Sequence, residues 1–324
     1  MALADWNSFR GIDHLRRDNF NQNLLYSLVD WFKWCSLNVG GFQNINYSYA
    51  SGIYGGDFSR LRLVDTPNYT DGQVWEGFRS DWVWETGMEY GTQPNFCSGV
   101  YVDDVFYATA SETGDYSHHI NFPLGRVVFD SAVSTSSIIN VDFSYRTVSY
   151  VKSGDGYFQE LLFESYRVDR NDFLASGSGQ WDQLAGSRRQ MPVVGVELAN
   201  RRYSPYELGS SQNYVFQDVI FYVLSESEDD RNQIVDTIAQ QYDKTIWLYN
   251  RGLIKENDVY PVDLDYNGSP VSGAMQFPEL VAETGNVGGF QYKKVALGNM
   301  GVTTMEYRNG IWRGILRTTV QGII

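Results

Sequence analysis

The first clear pattern of apolar positions lies between residues 23 and 37. Leucine, tryptophan, phenylalanine and cysteine recur there at steps of three and four residues, which is the spacing of one helical face. Asn19 or Asn21 can cap the start of this helix, because an asparagine side chain accepts a hydrogen bond from a backbone N–H of the first turn. The pair Gly40-Gly41 supplies a left-handed stop. The sequence therefore predicts a helix over 23–37 with one buried side.

The middle of the chain alternates between apolar and polar residues, as half-buried strands do. Short aromatic strands are predicted at 58–65, 73–85 and 98–108, separated by Gly, Pro and Asn. The run 120–152 holds two further strands around a Ser/Thr-rich turn, and they form either a hairpin or part of a sandwich. The regular spacing of strands from 58 to 152 predicts one β-sandwich module.

Two segments at 193–198 and 215–224 carry the strongest strand signals. The second is apolar on both faces, which is typical of a strand at the centre of a sheet. Before them, the segment 157–168 is compatible with strand or helix, and we favour a helix because its apolar residues fall on one helical face. The segment 175–190 is rich in Gly, Ser and Gln, and we predict an exposed loop there.

A second helix is predicted directly after the second of these strands. Ser227 is its expected N-cap, and three acidic residues follow in the first turn, where carboxylates interact favourably with the helix dipole. Ile234, Ile238 and Tyr242 recur every four residues and mark the expected buried face. A strand at 245–249 follows the helix.

Together these patterns predict a β-rich α+β protein, in which an antiparallel or mixed sheet is flanked by helices and carries an inserted β-sandwich. We assign residues 1–57 to an N-terminal arm and a helix of the core, 58–152 to the β-sandwich, and 153–250 to the sheet and helix core. Residues 251–324 form a C-terminal extension. Its last segment, 312–324, is expected to be a strand that pairs either with the sheet or with a neighbouring subunit.

Composition and charge narrow the classes of function. Hydrophobic residues make up 43% of the chain and aromatic residues 15%, which suits strands and large contact areas. The formal net charge is -14, and a surface of that sign repels nucleic acid phosphates. No run of about 18 apolar residues occurs and no signal peptide is evident, so we expect no membrane segment and no export. Cys35 and Cys97 are expected to be free thiols in a reducing compartment.

No group of residues in the sequence indicates catalysis, a metal or a cofactor. His118 and His119 are consecutive in an extended segment, so they point apart, and no further ligands accompany them at metal-binding spacing. Asp103 and Asp104 adjoin within a predicted strand, where they make a poor acid–base pair. The segment 262–268 matches a calcium loop only in part. We therefore predict a protein that is not an enzyme and holds no cofactor.

The order of these elements resembles that of tail-terminator and related neck proteins of tailed bacteriophages. The resemblance rests on the helix 23–37, the strand PVVGVEL, the strand YVFQDVIFYVL and the helix that contains DRNQIVDTI. The stretch GRVVFDSAVSTSSIINVDFSY is also similar to strand pairs in phage virion proteins. The resemblance implies a ring of identical subunits that caps the tail tube and joins it to the head connector, without any chemistry.

The implied partners are copies of the chain, expected as a hexamer, and virion proteins of the tail tube, sheath or head connector. Such a virion protein assembles in the host cytoplasm, and DNA passes through its ring without specific binding. Aromatic and arginine side chains concentrate binding energy at protein interfaces. The candidate interface residues are therefore Trp31, Trp34, Trp181, Arg188, Arg189, Trp312, Arg313 and Arg317. Trp31 and Trp34 fit either the core, which we favour, or an exposed contact stripe.

One alternative is a glycan-binding β-sandwich module of a tail fibre or a secreted protein, because aromatic faces stack on pyranose rings. A hydrolase that uses the scattered carboxylates is the least supported alternative, since no nucleophile is paired with a base. Saturable sugar binding and turnover of glycosides distinguish these alternatives from a ring protein.

Overall fold

A computed structural model describes residues 20–47, 58–66, 68–110, 112–155, 158, 191–207, 213–251, 275–286, 294–308 and 311–323. Within these residues the protein is a β-rich α+β fold with a curled mixed sheet, as the sequence predicts. Several predicted features lie outside the described residues: Asn19 as a helix cap, the segment 157–168 except Phe158, the loop 175–190 and the segment 262–268.

The first helix, α1 (Phe20–Asn38), confirms the predicted amphipathic helix and extends it at both ends. Asn21 lies inside the first turn and therefore does not cap the helix. At the other end, Gly40 adopts a φ of 83°, and the N–H of Gly41 donates to the carbonyl of Ser36 at 2.7 Å. This left-handed turn satisfies carbonyls of the last helical turn and stops α1 at the predicted glycine pair.

Among the described residues, nine short strands follow α1 and form two small sheets and one separate strand pair. They are β1 (Phe42–Ile45), β2 (Arg62–Leu63), β3 (Val74–Glu76), β4 (Gly99–Val102), β5 (Val105–Ala108), β6 (His118–Asn121), β7 (Arg126–Phe129), β8 (Ile139–Asn140) and β9 (Phe143–Arg146). One sheet has the order β2-β3-β7-β6, the other has the order β5-β4-β8, and β1 pairs with β9. Residues of both sheets share one apolar cluster, in which Trp82 stacks on Phe143 with ring centroids 4.4 Å apart.

Several details of this region differ from the sequence prediction. Of the predicted strands 58–65 and 73–85, only Arg62–Leu63 and Val74–Glu76 form the strands β2 and β3. The segment 98–108 is a hairpin of β4 and β5 rather than one strand, because Asp103 and Asp104 form its turn with φ values of 48° and 71°. Aspartate tolerates this left-handed region better than most residues. The hairpin alternative for 120–152 is also wrong, since β7 pairs with β3 and β6, while β8 pairs with β4 and β9 with β1.

The main sheet contains seven strands and is accompanied by two further helices. Its strands are β10 (Ser149–Lys152), β11 (Val193–Pro205), β12 (Asn213–Ser225), β13 (Thr245–Trp247), β14 (Lys294–Leu297), β15 (Gly301–Arg308) and β16 (Ile311–Ile323). The helices are α2 (Glu228–Ala239) and α3 (Phe277–Asn286). The strand order is β10-β11-β12-β16-β14-β13, with β15 also paired to β16. The pair β10–β11 is parallel and all other pairs are antiparallel.

The border of the predicted β-sandwich needs correction. The strand β10 lies inside the range 58–152, yet it pairs with β11 in the main sheet. The strand β1 precedes that range and pairs with β9. Both errors arise because partner strands are distant in sequence, so the alternation of apolar residues cannot show which sheet a strand joins.

The last strand, β16, occupies an interior position in the main sheet. It pairs with β12 in an unbroken register from Tyr214↔Ile323 to Ser225↔Trp312. Its other edge pairs with β15 and then with β14. Of the two alternatives for 312–324, the described residues therefore pair with the subunit's own sheet, and the segment is not free to reach a neighbour.

Helices α1 and α2 contribute to the same core cluster as the main sheet. Leu24 and Leu28 of α1 and Ile234 and Ile238 of α2 are buried there with the valines of β11 and β12. Ser227 caps α2 as predicted, by accepting a hydrogen bond from the N–H of Asp230. Tyr242 is exposed, against the prediction, because α2 ends at Ala239 and the chain turns away.

Leu316 tests the interior position of β16, since it is fully buried in the main core between β12 and β15. Replacing Leu316→Ala should lower the free energy of unfolding by about 2–5 kcal/mol, through lost burial and the cavity left behind. Arg317→Ala, at the exposed neighbouring position, should change it by about 0.5 kcal/mol or less. Urea denaturation followed by circular dichroism measures the free energy of unfolding of both variants. Equal losses in the two variants would contradict an interior position for β16.

Candidate functional site

The predicted interface residues of α1 do not form a surface stripe. Trp31 is buried in the main core, and its ring contacts that of Phe32 edge-on at a centroid distance of 4.7 Å. The core alternative is therefore correct for Trp31, and its place among the interface residues is wrong. Trp34 is half-buried beside a small cluster that includes Leu37 and Val83. Trp181, Arg188 and Arg189 lie outside the described residues.

The three candidates on β16 differ in accessibility. Arg313 is buried, so its guanidinium is not available to a neighbour, and its assignment to the interface is wrong. The Trp312 ring is half-buried between the Tyr307 ring at 4.6 Å and the Arg231 guanidinium at 5.1 Å. Arg317 is exposed. Alternation along β16 does not explain this difference, because Arg313 and Arg317 share a face. Their strand partners differ, since Arg313 lies opposite Leu224 and Glu306 and Arg317 lies opposite Ile220 and Gly301.

A surface that the sequence analysis missed lies on β15. Val302, Met305 and Tyr307 are between 43% and 59% exposed, although all three are large apolar residues. A bulge between Val302 and Thr304 shifts the register, so that Val302 and Met305 fall on one face despite their odd spacing. We call Val302, Met305 and Tyr307 the edge stripe. The sequence signal for this hairpin was the Asn309-Gly310 pair between two alternating runs.

The strand that carries the edge stripe has an open side. Among the described strands, β15 pairs only with β16. The backbone N–H and C=O groups of its other edge therefore point away from the sheet, where they can pair with another chain. Natural edge strands are usually protected by charge, proline or shortness, whereas β15 spans eight residues and has three exposed apolar side chains.

Helix α2 lies beside the edge stripe. A Cβ atom on Gly314 would lie 2.7 Å from Val235 of α2 and 3.5 Å from the sulfur of Met305, so helix and stripe are adjacent. Glu228 at the start of α2 is exposed and forms an ion pair with the buried Arg231 at 3.0 Å. The Arg231 guanidinium also lies over the Trp312 ring, which contacts Tyr307, so both signs of charge lie beside the edge stripe.

A second exposed group of large side chains lies at one end of the main sheet. Tyr206, Trp247 and Ile323 are between 38% and 50% exposed. The β12–β16 register brings Tyr214 opposite Ile323, and the Tyr206 ring lies 5.0 Å from the Tyr214 ring. Tyr203 is also exposed, but it lies opposite the buried Val215 and therefore faces the other side of the sheet. We call Tyr206, Trp247 and Ile323 the aromatic end.

Cations surround the aromatic end. The Arg202 guanidinium lies 5.0 Å from the Phe216 ring, and the Lys294 Nζ lies 5.8 Å from the Trp247 ring. These contacts hold positive charge over aromatic faces, which attract cations through their quadrupole. The aromatic end is therefore apolar with a basic border.

A cleft of about 90 Å³ lies between the segments of the small sheets and the helices α1 and α3. Its lining residues are Asp30, Lys33, Trp34, Asp81, Trp82, Trp84, Glu85, Phe122, Pro123, Arg146, Met275, Gln276, Phe277 and Leu280. The carboxylates and tryptophans in this lining are the residue types that a glycan-binding or hydrolytic site uses. Their hydrogen bonds decide whether they are available for that chemistry.

Arg146 organises one wall of the cleft. Its guanidinium is buried and forms ion pairs with Glu85 and, at 3.2 Å, with Asp81. Burial opposes the charge of Arg146, but the two adjacent carboxylates outweigh it and raise its pKa above the ordinary value. Asp81 also accepts a hydrogen bond from the hydroxyl of Ser149 on β10 at 2.9 Å. This network connects β9 and the segment around Asp81 with β10 of the main sheet.

Asp30 on the opposite wall is also engaged within the protein. It lies on α1 and accepts a hydrogen bond from the hydroxyl of Tyr249. Burial raises the pKa of the Asp30 carboxyl, and burial together with the Asp30 charge raises the pKa of Tyr249. The Ser27 hydroxyl accepts from the Tyr249 N–H at 3.0 Å. These bonds fix α1 to the segment after β13, so the Asp30 carboxyl stabilises the packing of α1.

The other candidate groups for chemistry have structural surroundings. His118 is buried, with Nδ1 2.8 Å from the carbonyl of Tyr116 and Nε2 2.8 Å from the hydroxyl of Thr109. Burial raises the pKa of Cys35 to about 11 and raises that of Cys97 as well, so both thiols are protonated at neutral pH. Within the described ranges, no three His, Cys, Asp or Glu side chains cluster as metal ligands would.

Comparisons with known proteins place the chain in no family. No protein-family model matches it, and no curated protein matches it significantly. In the part of the chain that the structure describes, no helix combines the length and the apolar character needed to cross a lipid bilayer.

The buried network around Arg146 predicts a large loss of stability when its cation is removed. Arg146→Ala should lower the free energy of unfolding by about 3–5 kcal/mol, because it leaves two partly buried carboxylates without their partner. Lys152→Ala breaks a more exposed ion pair with Asp155 and should lower the free energy of unfolding by about 1 kcal/mol or less. Denaturation in urea at neutral pH compares the two variants, and a similar small loss in both would contradict a structural role for Arg146.

His118 should make folding sensitive to mild acid. Burial lowers the pKa of His118 from its ordinary value of 6.5, so the unfolded chain binds a proton at a pH where the folded protein does not. The free energy of unfolding should therefore decrease as the pH falls below about 6.5. The decrease should end once the pH is below the pKa of His118 in the folded protein. An NMR titration of the imidazole C–H signals, assigned with His118→Gln, measures this, and a folded pKa at or above 6.5 would contradict the prediction.

Proposed function

We propose that the protein is a structural subunit of the neck or tail of a tailed bacteriophage, where it assembles with copies of itself and with adjoining virion proteins. The edge stripe is the observation that carries this proposal. Its open strand and exposed apolar side chains are a liability for a protein that stays alone in solution, because unpaired strand edges associate. In an assembled particle the same surface is covered.

The polar groups inside the protein support a structural role. Arg146 and Glu85 are paired with each other, Asp30 is bonded to Tyr249, and His118 is enclosed by its hydrogen bonds. Catalysis by acid and base requires side chains that can reach a substrate proton. These side chains instead join elements of the subunit, which favours assembly over turnover.

The charge of the chain is consistent with a channel for DNA. A net charge of -14 disfavours adhesion to phosphate groups, so DNA can slide past such a surface without binding. A ring of copies around a channel, as in tail terminators and neck proteins, uses this repulsion. Localisation in the virion, after assembly in the host cytoplasm, follows from the same proposal.

The glycan-binding alternative receives less support. Trp31, Trp75, Trp82 and Trp84 are buried, so their faces are not available for stacking on a sugar. Among the described tryptophans, Trp247 is the most exposed, and it lies within the aromatic end beside Lys294. A sugar platform requires an accessible aromatic face next to hydrogen-bonding groups.

Purified protein tests the proposed function directly. Size-exclusion chromatography with light scattering should give a mass several times the 37.0 kDa of one chain, and negative-stain electron microscopy should show closed rings. A particle that remains monomeric at high concentration would contradict the proposal. A change of tryptophan fluorescence that saturates with added oligosaccharide, in such a monomer, would support the glycan-binding alternative.

A further inference from the structure

We propose that the cleft binds a primary ammonium group carried on a short alkyl chain, with the Asp30 carboxylate as its counter-ion. A free small amine and the tip of a lysine side chain from another polypeptide both present this chemistry. The inference goes beyond the proposed function and does not depend on it, because the cleft lies within one subunit.

Helix α1 brings an acid, a cation and an aromatic ring to the cleft. Asp30, Lys33 and Trp34 are three and four residues apart, so they share one face of α1, and all three line the cleft. Asp30 is 8% exposed, whereas Lys33 and Trp34 are half-buried. The carboxyl group is therefore the least accessible of the three.

The Asp30 carboxyl is only partly satisfied by the protein. Its Oδ2 accepts a hydrogen bond from the Tyr249 hydroxyl, but its Oδ1 has no hydrogen-bond donor and Asp30 has no ion pair among the described residues. Burial raises the pKa of Asp30 by more than the positive charges of Lys33 and Arg251 lower it. Buried carboxylates are normally paired with a cation. Asp30 therefore lacks a close positive partner, which a bound ammonium group supplies.

The charges of the lining favour a cationic ligand. Three carboxylates line the cleft, on Asp30, Asp81 and Glu85, against the two cations Lys33 and Arg146. Arg146 is already ion-paired with both Asp81 and Glu85. One carboxylate is thus in excess, and a ligand with a single positive charge balances it.

The walls of the cleft suit an ammonium group and its alkyl chain. Trp34, Trp84 and Phe277 line it, and the Phe277 ring meets the Tyr249 ring edge-on at a centroid distance of 6.3 Å. An aromatic ring therefore lies next to the residue that bonds Asp30, and aromatic faces attract cations. A cavity of about 150 Å³ holds benzene, so a cleft of about 90 Å³ admits only a short chain.

A small anion is the competing ligand. The Nη1 of Arg146 is a buried donor without a hydrogen-bond partner among the described residues, and Lys33 adds a second positive charge. An anion at this guanidinium would also meet Asp81 and Glu85, which already neutralise it, and would repel both. The lining therefore favours the ammonium ligand over the anion, and the two give opposite results with a variant of Lys33.

A titration of the full-length protein with ethylammonium chloride tests this site. Met275 lines the cleft, so its methyl signal in a protein labelled with ¹³C-methyl methionine reports on binding, and Met275→Leu assigns it. Ethylammonium should shift this signal to saturation at constant ionic strength. Ethanol and acetate have similar size but are neutral and negative, and they should not shift it.

Three variants establish which charge binds the ligand. Asp30→Asn keeps an oxygen for the Tyr249 hydroxyl and should raise the dissociation constant of ethylammonium about tenfold to a hundredfold. Lys33→Gln removes a like charge and should lower it about two- to fivefold. The control Asp236→Asn makes the same change in net charge as Asp30→Asn at an exposed position of α2, outside the lining, and should change it less than about twofold.

The proposal fails if ethylammonium gives no saturable shift, or if a folded Asp30→Asn variant binds it as tightly as the wild type. Should Asp30→Asn not fold, Lys33→Gln decides: unchanged or weaker binding of ethylammonium in that variant would overturn the ammonium site. Saturable binding of acetate that Lys33→Gln weakens would assign the cleft to the anion instead.

A blocked peptide with one lysine between glycines, compared with its norleucine analogue, identifies the source of the ammonium group. A saturable shift with the lysine peptide alone supports a lysine tip from another polypeptide as the ligand. A shift with ethylammonium and with neither peptide supports a free amine. These results are independent of the oligomeric state, so a monomeric protein would contradict the proposed function and leave the ammonium site in place.

Discussion

The structure depends on how β16 completes the main sheet. Its thirteen residues lie between β12 on one side and β15 and β14 on the other, and its apolar face joins the core that α1 and α2 cover. Burial of that face is the dominant favourable term for the fold. In the part of the chain that the structure describes, β15 covers one part of β16, β14 covers another, and no strand pairs with the outer edge of β15. The interior position of β16 and the open edge of β15 are thus two results of one arrangement.

The sequence was sufficient for elements whose signals are local. The period of α1, its glycine stop, the Ser227 cap and the strands at 193–198 and 215–224 were all predicted and confirmed. These features depend on residues within a few positions of each other, where capping geometry and side-chain period act directly. The class, a β-rich α+β protein, follows from the same local patterns.

Features that depend on distant residues were not predictable. Glu85 and Arg146 are 61 positions apart, and no local pattern shows that they pair in the cleft wall. Trp31 and Trp34 sit three residues apart on one helix, yet only the packed structure shows that one is core and the other lines the cleft. The edge stripe was missed because a bulge changes which residues of β15 share a face. The assembly surface is therefore a property of the completed sheet.

Hydrogen exchange on β15 is the most direct test of the claim that the open edge of the main sheet is an assembly surface. Mass spectrometry compares the peptide 301–308 in the wild-type protein at a concentration that favours assembly and after dilution. We expect its amides to exchange slowly in the assembled protein and faster after dilution, with the buried strand β12 unchanged. Equal exchange of the 301–308 peptide in both states, alongside a measured change of mass, would contradict the account.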